Sequence, residues 1–297
     1  MKLKTFLQLL IFLGLQATAH SQEEDMMKLL GEDKPKKEYV YNAFKSSRVI
    51  MSHSMEMLRP GVLDFRILHR FGNVNNGLKE FFGLDEASIR LGLDYAISDD
   101  LTIGVGRSKH KKEIDGFVKY RIIQQATGPR SLPFSLVGVA GTTLSTIPWS
   151  DPTRENYFSS RMSHYGQAII GRKFNDGLTI QIMPTLLHRN LVPTSADPND
   201  LYIAGIGGRV KLSKRMSLNV DYYYVINQNE ALGLHNPLSV GLDIETGGHV
   251  FQLHFTNAMG MNERAFLTET TNDWLNGDIQ FGFNISRAFQ IRKSRKQ

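Results

Sequence analysis

The 297-residue chain contains no cysteine. Disulfides, thiolate metal sites, haem attachment and the lipid-modified cysteine of a lipoprotein are thereby excluded, so an exported product is held by its own fold. Long apolar runs are also lacking. The run Phe6–Leu15 is too short for a spanning helix, and no other stretch approaches the roughly 20 residues required; a helical inner-membrane protein is excluded. No helix-length periodic segment is found, which is unusual for a soluble enzyme with 41% hydrophobic residues. The nucleophile elbow, the phosphate-binding glycine loop and the H-E-x-x-H zinc motif are missing as well. Charge of one sign is only mildly in excess, at +6, and calls for no nucleic-acid partner.

What the chain does contain is strict alternation. In Ser88–Ile97, Ile89, Leu91, Leu93, Tyr95 and Ile97 fall on one face of a strand, and Ser88, Arg90, Gly92, Asp94 and Ala96 on the other. Similar segments are Val62–Phe71, Ala87–Ile97, Leu101–Ser108, Gly116–Gln124, Pro133–Ser145, Met162–Phe174, Leu178–Leu187, Leu201–Leu212, Met216–Asn227, Leu238–Glu245, His249–Asn257 and Asp278–Phe289. Ser47–Leu58 is a weaker thirteenth. The links between them alternate in length. Tight ones such as Ser98-Asp99-Asp100, Asn175-Asp176-Gly177 and Thr246-Gly247-Gly248 are interleaved with long ones such as Gly72–Glu86, Ile147–Ser160, His188–Asp200 and Ala258–Gly277. Outer-membrane barrels pair short periplasmic turns with long external loops.

The expected fold is therefore an antiparallel up-and-down transmembrane β-barrel, and a soluble β-sandwich is the competing fold. Thirteen strands cannot close with both ends in the periplasm, so Tyr39–Phe44 is taken as a short first strand, giving about 14; twelve is the fallback if a weak element is not in the wall. Residues 1–21, with Lys2 and Lys4, the apolar run and Ala17-Thr18-Ala19, read as a signal peptide. Its removal lowers the charge to about +4. Residues 22–38 read as a charged periplasmic leader, 39–289 as the barrel and 290–297 as a basic periplasmic tail. The expected location is the outer membrane of a Gram-negative-type cell.

One set of faces is apolar throughout, for example Leu63, Phe65 and Ile67, and Phe281, Phe283 and Ile285. The opposite set carries the candidate lumen lining: Arg66, Arg70, Arg90, Asp94, Lys119, Arg121, Arg209, Lys211, Asp221, Asp243 and Glu245. These charges read either as a functional lining or as ion pairs that stiffen the wall and fill space. Glycines on this face, Gly104, Gly106, Gly205 and Gly207, are expected to sharpen curvature in preference to making room for a plug. Trp149 and Trp274 fall in external links and suit the lipid interface. No catalytic or metal site is expected, because Ser163 and His164, like His249 and His254, fall on opposite faces.

Four motifs in order, His69-Arg70-Phe71-Gly72, Gly83-Leu84-Asp85 with Ile89-Arg90-Leu91-Gly92-Leu93, Glu245-Thr246-Gly247-Gly248-His249-Val250-Phe251 and Gly282-Phe283-Asn284-Ile285-Ser286-Arg287, resemble the membrane-bound β-barrel family known as domain of unknown function 5777. The resemblance spans roughly Phe44–Phe289. It implies an outer-membrane barrel, brings no catalytic residue, cofactor or substrate, and points to a periplasmic lipid-binding or cytochrome protein as partner. Outer-membrane lipid and the barrel-assembly machinery are the other expected partners. The expected function is a passive or partner-assisted channel biased by its arginines and lysines toward small polar or anionic solutes. The alternatives are a non-conducting structural or docking barrel and, behind it, a barrel enzyme acting on lipid. The His69 and Glu245–His249 motifs are expected at opposite ends of the wall, a membrane core of about 25 Å apart, as structural corners and not one site.

Overall fold

A computed structural model describes residues 36–149 and 151–292; the signal peptide, most of the leader and the end of the basic tail lie outside them. The strands in chain order are β1 (Glu38–Tyr39), β2 (Val62–Asn73), β3 (Ala87–Ala96), β4 (Leu101–Ser108), β5 (Glu113–Ile123), β6 (Ala126–Thr127), β7 (Ser135–Ser145), β8 (Met162–Lys173), β9 (Leu178–Arg189), β10 (Asp200–Lys211), β11 (Met216–Val225), β12 (Leu238–Thr246), β13 (His249–Thr256) and β14 (Gln280–Gln290). All but β1 and β6 join in sequence order into one closed barrel. Its seam pairs β14 with β2 antiparallel, Phe283 opposite His69. No helix among the described residues is long and apolar enough to cross a membrane, and closure satisfies the strand edges instead.

The wall thus has twelve strands, the fallback number, and not 14. The two weak elements are not in it. Glu38–Tyr39 pairs with Ala126–Thr127 as a small separate sheet, and the Ser47–Leu58 segment lies inside the barrel. The reason is legible in its side chains: Ser47, Val49, Met51, His53 and Met55 alternate with Arg48, Ile50, Ser52, Ser54 and Glu56, so neither face could meet lipid without burying a polar group.

Along the wall the alternation holds closely. In β3, Ile89, Leu91 and Leu93 are exposed on the outer face, while Arg90 and Asp94 are buried inside. Most short links lie at one end of the barrel, the turn end, and most long links at the other, the loop end; the short β4–β5 link at the loop end and the longer β5–β7 link, which carries β6, at the turn end are the exceptions. The tightest turn joins β12 to β13 through Gly247 and Gly248, both at positive φ (43° and 125°), a geometry that glycine adopts without strain. The inner-face glycines do make room. A Cβ on Gly106 would stand 2.2 Å from the Arg90 guanidinium, one on Gly205 2.5 Å from the Tyr223 ring, one on Gly104 2.3 Å from Phe117, and one on Gly207 3.3 Å from Val49 of the enclosed segment. Side-chain packing inside the barrel therefore replaces curvature as their explanation.

Candidate functional site

The lumen is occupied by the chain itself. From the turn end, residues 43–57 enter as a hairpin, pinned by the Arg48–His53 bridge and by Val49 N–H to Ser52 O (2.9 Å) and Ser54 N–H to Ser47 O (3.0 Å). The wall strands already use their backbone groups on one another, so the hairpin backbone must find side chains. Asp221 accepts from the amides of Ile50, Met51 and Ser52 and from the Ser52 hydroxyl at 2.9–3.3 Å, all on one oxygen. Gln252 and Asn284 donate to the carbonyls of Val49 and Ile50 at 2.7 and 3.0 Å. Gln181 both donates to His53 O (2.7 Å) and accepts from Met55 N–H (2.9 Å). Lys119 donates to Glu56 O at 2.6 Å, and Arg209 to Ala43 O at 3.1 Å. Glu56 closes the neck by accepting from Ala43 N–H at 2.7 Å.

A second element fills the mouth at the loop end. The β13–β14 link folds inward and forms the short helix α1 (Glu263–Thr268), with Glu263, Ala265, Phe266 and Leu267 buried. Asn262 caps it by accepting from Ala265 N–H (2.9 Å) and anchors it by donating to Glu113 of β5 (2.7 Å). The two inserted elements meet. Arg48 donates to Glu263 at 2.7 Å, and His53 lies 3.2 Å from the same carboxylate and 3.3 Å from the Tyr165 hydroxyl. Around this contact Val49, Ile50, Met51, Phe266 and Leu267 pack with inward side chains of β7–β11, among them Val139, Ile169, Met183, Leu187, Ile203 and Tyr223.

Of the charges expected to line the lumen, Arg66, Arg70, Arg90, Asp94, Lys119, Arg209, Asp221 and Asp243 are buried inside. Arg121, Lys211 and Glu245 sit at the turn-end rim. Arg121 pairs there with Asp100 (2.7 Å), Glu245 pairs with Lys45, and Lys211 is exposed. The buried cations are not an open anion lining. Arg90 makes a two-pronged pair with Asp115, and Arg66 donates to Asp64 at 3.1 Å. Arg70 joins a chain through Asn284 and Gln252 to Asp243. Wall acids supply this balance: Asp64, which alternation places on the inward face with Arg66, and Asp115, which the sequence reading leaves unassigned.

The family motifs do not converge. His69 faces outward and stacks on Phe283 at a centroid distance of 4.9 Å, whereas Arg70 points inward. His249 pairs with Arg287, four rungs from the Phe283 rung that holds His69. At about 3.3 Å per residue that separation is near 13 Å, shorter than the full membrane core the sequence implies. Ser163 is inward and His164 outward, and no group of three or more potential metal ligands occurs among the described residues. Trp149 stacks under Arg161 at 3.9 Å, and the Trp274 indole donates to Leu238 O at 3.0 Å; both lie in loop-end links.

That residues 43–57 form the plug is what sequence reasoning missed. A usable signal was present in the inward positions of β7, β9 and β10, where Val137, Val139, Met183, Leu187, Leu201 and Ile203 are as apolar as the outer face. Apolar residues on both faces mark a strand covered on both sides.

No curated protein matches the sequence. Among solved structures, the chain is similar in shape to the NanC porin (TM-score 0.49, 9% identity, 76% of this chain and 98% of that one) and to the KdgM porin (TM-score 0.46, 8% identity, 77% and 99%). It is similar also to outer membrane phospholipase A from Escherichia coli (TM-score 0.42, 10% identity, 84% and 98%). A closed antiparallel wall, two-faced along its strands and matched over residues 44–289 by the family model described as a membrane-bound β-barrel domain, makes this chain a member of that family, domain of unknown function 5777.

Proposed function

We propose that the protein is an outer-membrane barrel shut by its own chain, and that it passes small polar solutes only when the 43–57 hairpin withdraws toward the turn end. The observation that carries this reading is the hairpin's mode of attachment. Its backbone is held largely by polar side chains, Asp221, Gln181, Gln252, Asn284, Lys119 and Arg209, and water can satisfy both sides of such bonds when they part, so the net stabilisation per bond is about 1 kcal/mol for the amides and about 1.5–3 kcal/mol for the charged groups. The balance of acids and bases favours polar solutes in general over anions. Export by the N-terminal signal, a periplasmic turn end, insertion by the assembly machinery and docking of a periplasmic lipid-binding or cytochrome protein belong to the same proposal. So does a non-enzymatic role.

The non-conducting docking barrel is the second reading. It is favoured by the Arg48–Glu263 pair, which ties the hairpin to the loop from the opposite end. Planar-bilayer recording separates the two. The full protein should be closed with rare openings, and a variant lacking residues 43–57 should conduct steadily. Silence in both, with the deletion variant correctly folded in the same membrane, would contradict the channel.

A further inference from the structure

Above α1, at the loop-end mouth, lies a cleft of about 500 Å³ whose floor includes Arg264, Thr268 and Glu269. Its apolar side is built from two loops, with Leu191 and Val192 on one and Leu232 and Leu234 on the other; Leu191 is more than half exposed. Arg189 of β9 closes the polar side. It is only 6% exposed, donates one Nη2 bond to Pro198 O (2.9 Å), and leaves its Nε–H unpaired. The Arg264 Nε–H, on the floor, is unpaired too.

The nearby carboxylates are already committed. Glu269 accepts from Arg264 (2.6 Å) and Lys111 (2.5 Å) and contacts His110 (3.0 Å). Asp197 accepts from Thr194 and Asn229, and Glu113 from Asn262 while it pairs with Arg264. No carboxylate is hydrogen-bonded to Arg189 among the described residues. A buried guanidinium that keeps a free donor costs stability unless something accepts from it.

We propose that this cleft binds a small monocarboxylate with an apolar tail, its carboxylate on Arg189 and Arg264 and its tail against Leu191, Val192, Leu232 and Leu234. Mouths of β-barrels are common places for apolar pockets with a few polar anchors. The lining sets Arg189, Arg264 and Lys111 against one carboxylate, Glu269, which suits an anion, and Glu269 disfavours a dianion such as phosphate more than a monoanion. Binding at the mouth goes beyond the gating reading and holds whether or not the barrel conducts.

The test is calorimetric titration of the full chain in phosphatidylcholine nanodiscs, free of detergent, with hexanoate, acetate and 1-hexanol. Hexanoate should bind saturably and about tenfold more tightly than either acetate or 1-hexanol. Arg189→Gln should weaken hexanoate about tenfold, and Leu234→Ser should weaken it without changing acetate. If Arg189→Gln fails to assemble, Leu234→Ser decides alone. Equal binding of hexanol and hexanoate, no saturable heat with hexanoate, or an unaltered affinity in the assembled variants would overturn the site.

Discussion

On β2–β5 the inward positions carry the charges of Asp64, Arg66, Arg70, Arg90, Asp94, Asp115 and Lys119, whereas on β7–β10 Val137, Val139, Tyr165, Ile169, Met183, Leu187, Leu201 and Ile203 stand among uncharged Ser, Thr and Gln, with only Arg189 and Arg209 charged. The two arcs share one backbone geometry and one lipid-facing exterior, so the difference concerns what lies inside. A water-filled lumen would leave the second arc wetted at a cost of roughly 25 cal/mol per Å² of apolar surface. The hairpin resolves both arcs. Its Ser46 and Ser47 hydroxyls accept from Arg66 at 2.9 and 3.1 Å, while Val49 and Met55 reach Gly207 and Gly171 on the apolar side.

The largest effect is expected from breaking the charged arc. Arg90→Ala leaves Asp115 buried without its partner and should cost about 3–5 kcal/mol, read as a lowered urea midpoint in lipid vesicles. The double variant Arg90→Met with Asp115→Leu should recover most of that loss. A double variant no better than the single one would show that the pair does more than neutralise itself.

The apolar arc offers a sharper contrast. Leu187→Ala should cost about 2–5 kcal/mol if protein packs against it, measured by the same unfolding assay. A loss under about 0.5 kcal/mol would mean that water, and not the plug, faces this residue.

The smallest expected effect is one of pH at the rim joining the arcs. Burial opposes ionisation of Glu269, yet His110, Arg264 and Lys111 together hold its carboxyl well below the ordinary range. A carboxyl depressed on folding stabilises the fold above its unfolded pKa, near 4.3, and that contribution is lost as pH falls toward the folded value. Below about pH 4, Glu269→Gln should therefore unfold with a shallower pH dependence than the parent, while at pH 7 it should be less stable by about 1 kcal/mol. Identical acid profiles for the two proteins would remove this rim contact from the account.

The wall was legible from particular residues. Ile89, Leu91 and Leu93 against Arg90 and Asp94 fix a strand, its two faces and its lipid side, because a period of two leaves no other arrangement with one face in lipid. The lumen was legible only in part. Arg90 could be placed inside, but not its pairing with Asp115 two strands away, since register across β4 depends on turn geometry that alternation does not encode. The hairpin was misread as wall because an isolated alternating stretch of twelve residues looks the same whether it pairs at an edge or folds on itself. What separates the cases is the polarity of both its faces, Arg48 and Ser52 on one and Ser47 and His53 on the other.

The central claim, that the chain's own hairpin closes the barrel, is tested most directly by cross-linking Val49→Cys to Gly207→Cys. The chain has no other cysteine, and a Cβ at position 207 would stand 3.3 Å from the Val49 Cγ2 position, within the reach of an unstrained disulfide. In membranes, mild oxidation should close this bond nearly completely, shift the mobility of the unfolded chain and abolish any channel openings until reductant is added. Two thiols that stay free and react readily with a water-soluble maleimide would contradict the claim.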